Sequence, residues 1–77
     1  MPQPFRDYRG RELRPTSTRQ AAKLEALRRS EPSLLLLGQE VDGTIRFSVR
    51  ARFLRGRLRE PRAGRVDARG RLTWGQP

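Results

Sequence analysis

Residues 33–52, SLLLLGQEVDGTIRFSVRAR, decide the fold. Asp42-Gly43 lies between two strand-like runs and is a strong signal for a two-residue hairpin turn. Pairing Val41 with Thr44 across that turn sets Gly38 opposite Phe47, Leu36 opposite Val49 and Leu34 opposite Ala51, with Ile45 on the same face. This face is apolar nearly throughout. The other face pairs Gln39 with Arg46, Leu37 with Ser48, Leu35 with Arg50 and Ser33 with Arg52, so it is basic with two leucines in it. A slip of one residue would mix the two sets, so turn chemistry and hydrophobic pattern agree on one register.

Downstream, the alternation breaks at Phe53-Leu54 and resumes in opposite phase, with Leu54, Gly56 and Leu58 on one side and Arg55, Arg57 and Arg59 on the other. One extra residue there is a β-bulge, which bends and twists a strand, and Gly56 just after it permits a sharp bend. Residues 60–64, EPRAG, read as a loop, and Asp67-Ala68-Arg69-Gly70 fits a type I turn with a glycine bulge. The expected strands are therefore 33–41, 44–59 with a bulge near 53–54, 64–67 and 71–74.

Upstream, Ser17 and Gln20 match a capping box that opens a helix over 18–29. Ala21, Leu24 and Leu27 form its one narrow apolar stripe. Ser30-Glu31-Pro32 stops it, because the residue before a proline is pushed out of helical geometry. Residues 1–15 contain three prolines, one glycine and four arginines without any period, and read as an extended basic arm ahead of a single small domain over 16–77. The fold class expected is α+β: an N-terminal helix followed by a strongly bent antiparallel sheet of about four strands. That order is similar to the small SH3-like and Sm-like barrels, on topology alone and without signature residues of those families, so closure of the sheet into a small barrel is a variant of the same expectation.

The chain has 77 residues, seventeen arginines to one lysine, no cysteine and no histidine. Disulfides, thiolate or imidazole metal sites and imidazole acid–base chemistry are excluded together. The carboxylates fall mostly at caps, turns and a helix face, and none clusters at a metal-binding spacing. No enzyme activity, cofactor or metal is expected. The longest apolar run is only 34–37, far below the ~18 residues of a membrane span, and the N-terminus lacks the order of a signal peptide. The expectation is a cytoplasmic protein without membrane insertion.

Charge is the remaining constellation. Residues 1–43 carry eight basic and six acidic side chains, whereas residues 44–77 carry ten and two. Concentrated charge of one sign usually faces a partner of the other. Arg46, Arg50 and Arg52 alternate along one strand at ~7 Å per two residues, and Arg55, Arg57 and Arg59 form a second row past the bulge, so both rows can follow a phosphate backbone. In the arm, Phe5 and Tyr8 sit among Arg6, Arg9 and Arg11, an interleaving that suits stacking on bases while holding phosphates; docking of the two aromatics on the domain's own core is the competing reading. The expected function is nucleic-acid binding, to DNA or RNA, through these nine arginines. The alternative is a small interaction or inhibitor subunit, part of an oligomer or larger complex, that meets an acidic protein surface. There Leu35, Leu37, Phe5 and Tyr8 would be the apolar anchors and the arginines their rim. The dispersed Arg-Gly pairs read as structural turn glycines.

Overall fold

The computed structural model describes residues 4–75, with the backbone alone described at residues 52–54. Strands β1 (Phe5–Arg6) and β2 (Glu12–Leu13) come first, then helix α1 (Thr18–Ser30), then β3 (Leu34–Gln39), β4 (Ile45–Val49), β5 (Arg52–Leu54), β6 (Arg57–Arg59), β7 (Arg62–Val66) and β8 (Leu72–Trp74). One helix and a four-stranded antiparallel sheet of order β3-β4-β7-β8 make the architecture α+β. No pairing joins β3 to β8 among the described residues, so the sheet is open and the barrel variant is not seen.

The helix is not the first element. Residues 1–15 do not form an extended arm over their described part: β1 and β2 pair as a hairpin, and Phe5 and Leu13 enter the core. The hairpin borders the outer edge of β3, where the Tyr8 N–H donates to the Leu36 carbonyl at 2.9 Å. Burial of two apolar side chains outweighs the cost of ordering a proline-rich segment, because so small a chain has few other large apolar groups to bury.

Helix α1 opens as the sequence reading expects. The Ser17 hydroxyl accepts from the Gln20 N–H at 3.0 Å, and the first turn of amide donors gains a partner there. At the other end the Glu31 N–H donates to the Leu27 carbonyl, while Arg28 and Arg29 in the last turn complement the helix dipole and pair with Glu25. The buried face is Gln20, Leu24 and Leu27, with Ala21 packed beside it.

The β3–β4 hairpin keeps the expected faces from Leu34 to Leu36 but not the expected register, and past the bulge Gly38 and Gln39 exchange faces. Leu34 lies opposite Val49 and Leu36 opposite Phe47, then Leu37 is bulged out, and Gly38 meets Arg46 and Gln39 meets Ile45. The connection is a three-residue loop rather than a two-residue one: the Glu40 N–H donates to the Thr44 carbonyl and the Gly43 N–H to the Glu40 carbonyl. Gly43 has φ +92°, the left-handed position that follows a type I turn in such loops. Asp42 uses its carboxylate to accept the Thr44 N–H at 2.9 Å, which fixes this turn in place of the one its dipeptide suggests.

The same turn is built twice more on a shared pentapeptide. In Asp7-Tyr8-Arg9-Gly10-Arg11 and in Asp67-Ala68-Arg69-Gly70-Arg71 the aspartate N–H donates to the carbonyl of the fifth residue, and its carboxylate accepts the N–H groups of the third and fifth at 2.8–2.9 Å. The second of these fulfils the turn expected at 67–70.

Strands 44–59 are not one bulged strand. Ile45 pairs with Val66, Val49 with Arg62, Arg52 with Arg59 and Leu54 with Arg57. These partners share one register on either side of the unpaired residues 50–51 and 60–61, so β4-β5 and β6-β7, although they pair as two separate ladders, follow one ribbon path that reverses at Arg55-Gly56. Both turn residues have positive φ, +54° and +77°, as a type I′ connection requires. The apparent change of phase at 53–54 is the approach to this reversal.

The core joins Leu24 and Leu27 of α1, Phe5 and Leu13 of the first hairpin, and Leu36, Ile45, Phe47, Val49 and Val66 of the sheet. Gly64 is required beside Phe47: a Cβ there would stand 2.7 Å from the ring's Cζ and 2.6 Å from the Thr73 carbonyl oxygen. The ring instead approaches bare backbone, with the Trp74 ring roughly perpendicular to it and the centroids 5.1 Å apart.

Candidate nucleic-acid interface

The proximal half of the ribbon, β4 and β7, forms the two central strands of the sheet. In its distal half, residues 50–61, no described side chain joins the core cluster, and each described side chain is exposed. By strand rise, six residues from Val49 to the tip carry it roughly 20 Å from its root. A two-stranded ribbon stays in one place only if its root is anchored. Arg62 provides an anchor: its guanidinium lies 4.1 Å over the Trp74 ring and 3.4 Å from a Glu31 carboxylate oxygen.

The expected arginines are distributed differently from two rows on one strand. Arg46 and Arg50 stand on the outgoing side, Arg57 and Arg59 on the returning side, and Arg55 at the tip; all five are exposed. The side chain of Arg52 lies outside the described residues, although its backbone stands opposite Arg59. Arg65, which sequence reasoning did not single out, faces Arg46 directly across β4 and β7 and is also exposed. Among the described residues none of these six arginines has an ion pair within the chain. Like charges directly opposite each other destabilise a sheet, and among the described residues no ion pair relieves them, Asp42 acting on Arg65 only at longer range. Glu60 is the one acid between residues 44 and 66.

Arg55 carries a further cost. A residue other than glycine with φ near +54° sits in the left-handed region, where asparagine or glycine is the less strained choice.

Arg6, Arg9 and Arg11 are not brought into the ribbon. They occupy the first hairpin on the far side of β3, and each is engaged within it: Arg6 donates to the Gly10 carbonyl at 3.0 Å, Arg9 to the Tyr8 hydroxyl at 2.9 Å, and Arg11 pairs with Asp7 at 3.3 Å. Phe5 is only 9% exposed, under the Arg28 guanidinium at 4.5 Å, so it cannot serve as a surface anchor for stacking or for a partner. Tyr8 remains open at 55%. Leu35 and Leu37 are half-buried rather than exposed. Leu35 lines a cleft of about 300 Å³ with Phe5 and Tyr8, while the bulged Leu37 lies beside Arg46 and Arg65.

The turn aspartates are electrostatically committed. Burial alone would raise the Asp7 pKa, but the N–H groups of Arg11 and Arg9 and the Arg11 guanidinium outweigh it and hold the carboxyl below its ordinary value. The Thr44 N–H does the same for Asp42, with Arg65 adding to it, and the Arg71 N–H for Asp67. Among the described residues no group of acids could hold a metal ion, and no helix is long and apolar enough to cross a membrane.

No family model, curated protein or solved structure matches this chain.

Proposed function

We propose that this chain binds nucleic acid through the arginine-bearing ribbon, chiefly by contacts to phosphates. The observation that carries the reading is the distal ribbon itself: its described side chains are exposed and outside the core, and its sequence holds Arg50, Arg52, Arg55, Arg57 and Arg59 against one acid. A segment whose described side chains stay out of the core and whose arginines repel one another gains compensation from a polyanion. Two geometrical facts favour nucleic acid over an acidic protein surface. A two-stranded ribbon is an element that the ~12 Å major groove of B-DNA admits, and the four anchors of the protein-partner reading are buried or half-buried apart from Tyr8. Phosphate contacts position a protein without reading sequence, so little base preference is expected. We read the chain as a binding rather than a catalytic protein.

Six exposed, unpaired arginines (Arg46, Arg50, Arg55, Arg57, Arg59 and Arg65) set the test. Fluorescence anisotropy with a labelled duplex, between 50 and 300 mM salt, should give a slope of log affinity against log salt of about −5. Each single Arg→Gln among the six should shallow that slope by about one and leave sequence preference unchanged. Affinity that is indifferent to salt, or no binding at the lowest salt, would remove the reading.

A further inference from the structure

A second cationic surface lies at the other end of the fold. The exposed side of α1 and the 67–71 turn enclose an open cleft of about 680 Å³ whose lining includes Arg19, Lys23, Arg69 and Arg71. All four are exposed, and among the described residues none has an ion pair. Arg19 and Lys23 are four residues apart on the helix, a like-charge spacing that costs a helix a few tenths of a kcal/mol. Ala22 and Ala26 also line the cleft, and their short side chains leave room for a ligand to approach the helix. The turn is held rigidly against α1: the Ser17 hydroxyl donates to the Ala68 carbonyl at 2.7 Å, and Gly70 packs on the Arg19 backbone so closely that a Cβ would stand 2.7 Å from its carbonyl carbon. The nearby acid, Asp67, spends one oxygen on the Arg69 and Arg71 N–H groups and offsets one of the four charges. Glu25 pairs with Arg28 and Arg29, outside the cleft lining.

Strand β7 leads from the ribbon root at Arg62 to the turn after Val66, so the cleft and the ribbon tip lie at opposite ends of one strand path. From Gly56 to Asp67 that path is roughly 35 Å at the usual rise. It is about three times the ~12 Å width of a major groove, so a ribbon seated in one groove leaves the cleft remote from that groove's phosphates. We infer that the cleft between α1 and the 67–71 turn is a second phosphate-binding site, which takes the backbone of a second nucleic-acid segment, so that one copy of the chain bridges two duplexes. This rests on the ribbon reading for the first segment.

The test is a bridging assay. A duplex is fixed to beads, the protein is added at 50 mM salt, and retention of a second, fluorescent duplex is measured beside direct anisotropy with a single duplex. The variant Arg19→Gln/Lys23→Gln/Arg69→Gln changes only exposed side chains, and circular dichroism confirms its fold. The native chain should retain the second duplex. The triple variant should bind a single duplex within about twofold of the native chain, yet its retention of the second should fall at least about tenfold, since about three phosphate contacts are lost. Undiminished retention by the triple variant, as two associated copies each offering a ribbon would give, overturns the inference. A native chain that binds the fixed duplex but retains no second one overturns the inference and leaves the ribbon reading standing. A native chain that binds no duplex overturns both.

Discussion

Gln20 is a polar residue at the centre of the fold, fully buried yet satisfied. Its amide nitrogen donates to the Gly43 carbonyl at 2.7 Å and the Val66 carbonyl at 3.1 Å, and its oxygen accepts the Thr16 N–H at 2.7 Å. The capping-box pattern identified Gln20 as a helix-start residue, but not its reach to two strands, because a spacing in sequence says nothing of what folds back over it. Gln20→Leu should destabilise by about 2 kcal/mol in a denaturant titration, since the Thr16 N–H and the Gly43 and Val66 carbonyls each lose a hydrogen bond together, the Gly43 carbonyl keeping the one from Gln39. Phe47→Ala should cost about 3–5 kcal/mol as a core truncation. Gly64→Ala, although it adds a single methyl, should cost about 1–3 kcal/mol through overpacking against that ring and the Thr73 carbonyl. The three turn aspartates have folded pKa values below their unfolded ones. Their contribution is complete above the unfolded value of ~4 and disappears as pH falls through the folded values. Melting temperature should therefore be insensitive to these groups between pH 7 and 5 and drop below about pH 4. Asp7→Asn/Asp67→Asn should flatten that acid limb, because asparagine keeps an acceptor oxygen without the charge.

At the scale of elements, the faces of β4 and of β3 up to Leu36 were legible in the sequence, whereas the register, and with it the faces of Gly38 and Gln39, was not. Hydrophobic alternation places Leu34, Leu36, Ile45, Phe47 and Val49 together whatever the turn, whereas register depends on the loop that Asp42 builds and on the bulge at Leu37. The ribbon was hidden for a different reason. Its reversal uses Arg55-Gly56, and arginine at a left-handed position carries none of the usual signal of asparagine or aspartate before glycine. Read without that turn, the same residues give one long strand with a fault in it. The repeated D-x-R-G-R pentapeptide was the signal that could have revealed the first hairpin, since the copy at 67–71 was recognisable as a turn and the copy at 7–11 is identical at four of five positions. Arg55→Asn should relieve the strained backbone and raise stability by up to about 1 kcal/mol, while removing one phosphate contact. Stability and affinity moving in opposite directions, measured by thermal melting and anisotropy on the same variant, is the expected signature of a strained residue kept for binding.

Over the whole molecule, the core and the charge occupy separate territory. The helix, the first hairpin and the proximal sheet hold the buried apolar side chains, and the distal ribbon holds exposed arginines. The cationic segment was legible from residue counts, and the sequence reading singled out Arg46, Arg50, Arg55, Arg57 and Arg59, which the structure leaves exposed. It did not foresee Arg65, whose place opposite Arg46 follows only from the pairing of β4 with β7. The separation permits a direct test. Replacing residues 51–60 by Asn-Gly joins Arg50 to Pro61 in the existing register and removes no described residue of the core cluster. If the ribbon carries the binding, the shortened protein should melt within a few degrees of the native chain, while its salt slope for a duplex falls from about −5 to about −3 with a corresponding loss of affinity. A shortened protein that folds and binds with the native slope and affinity would contradict the account.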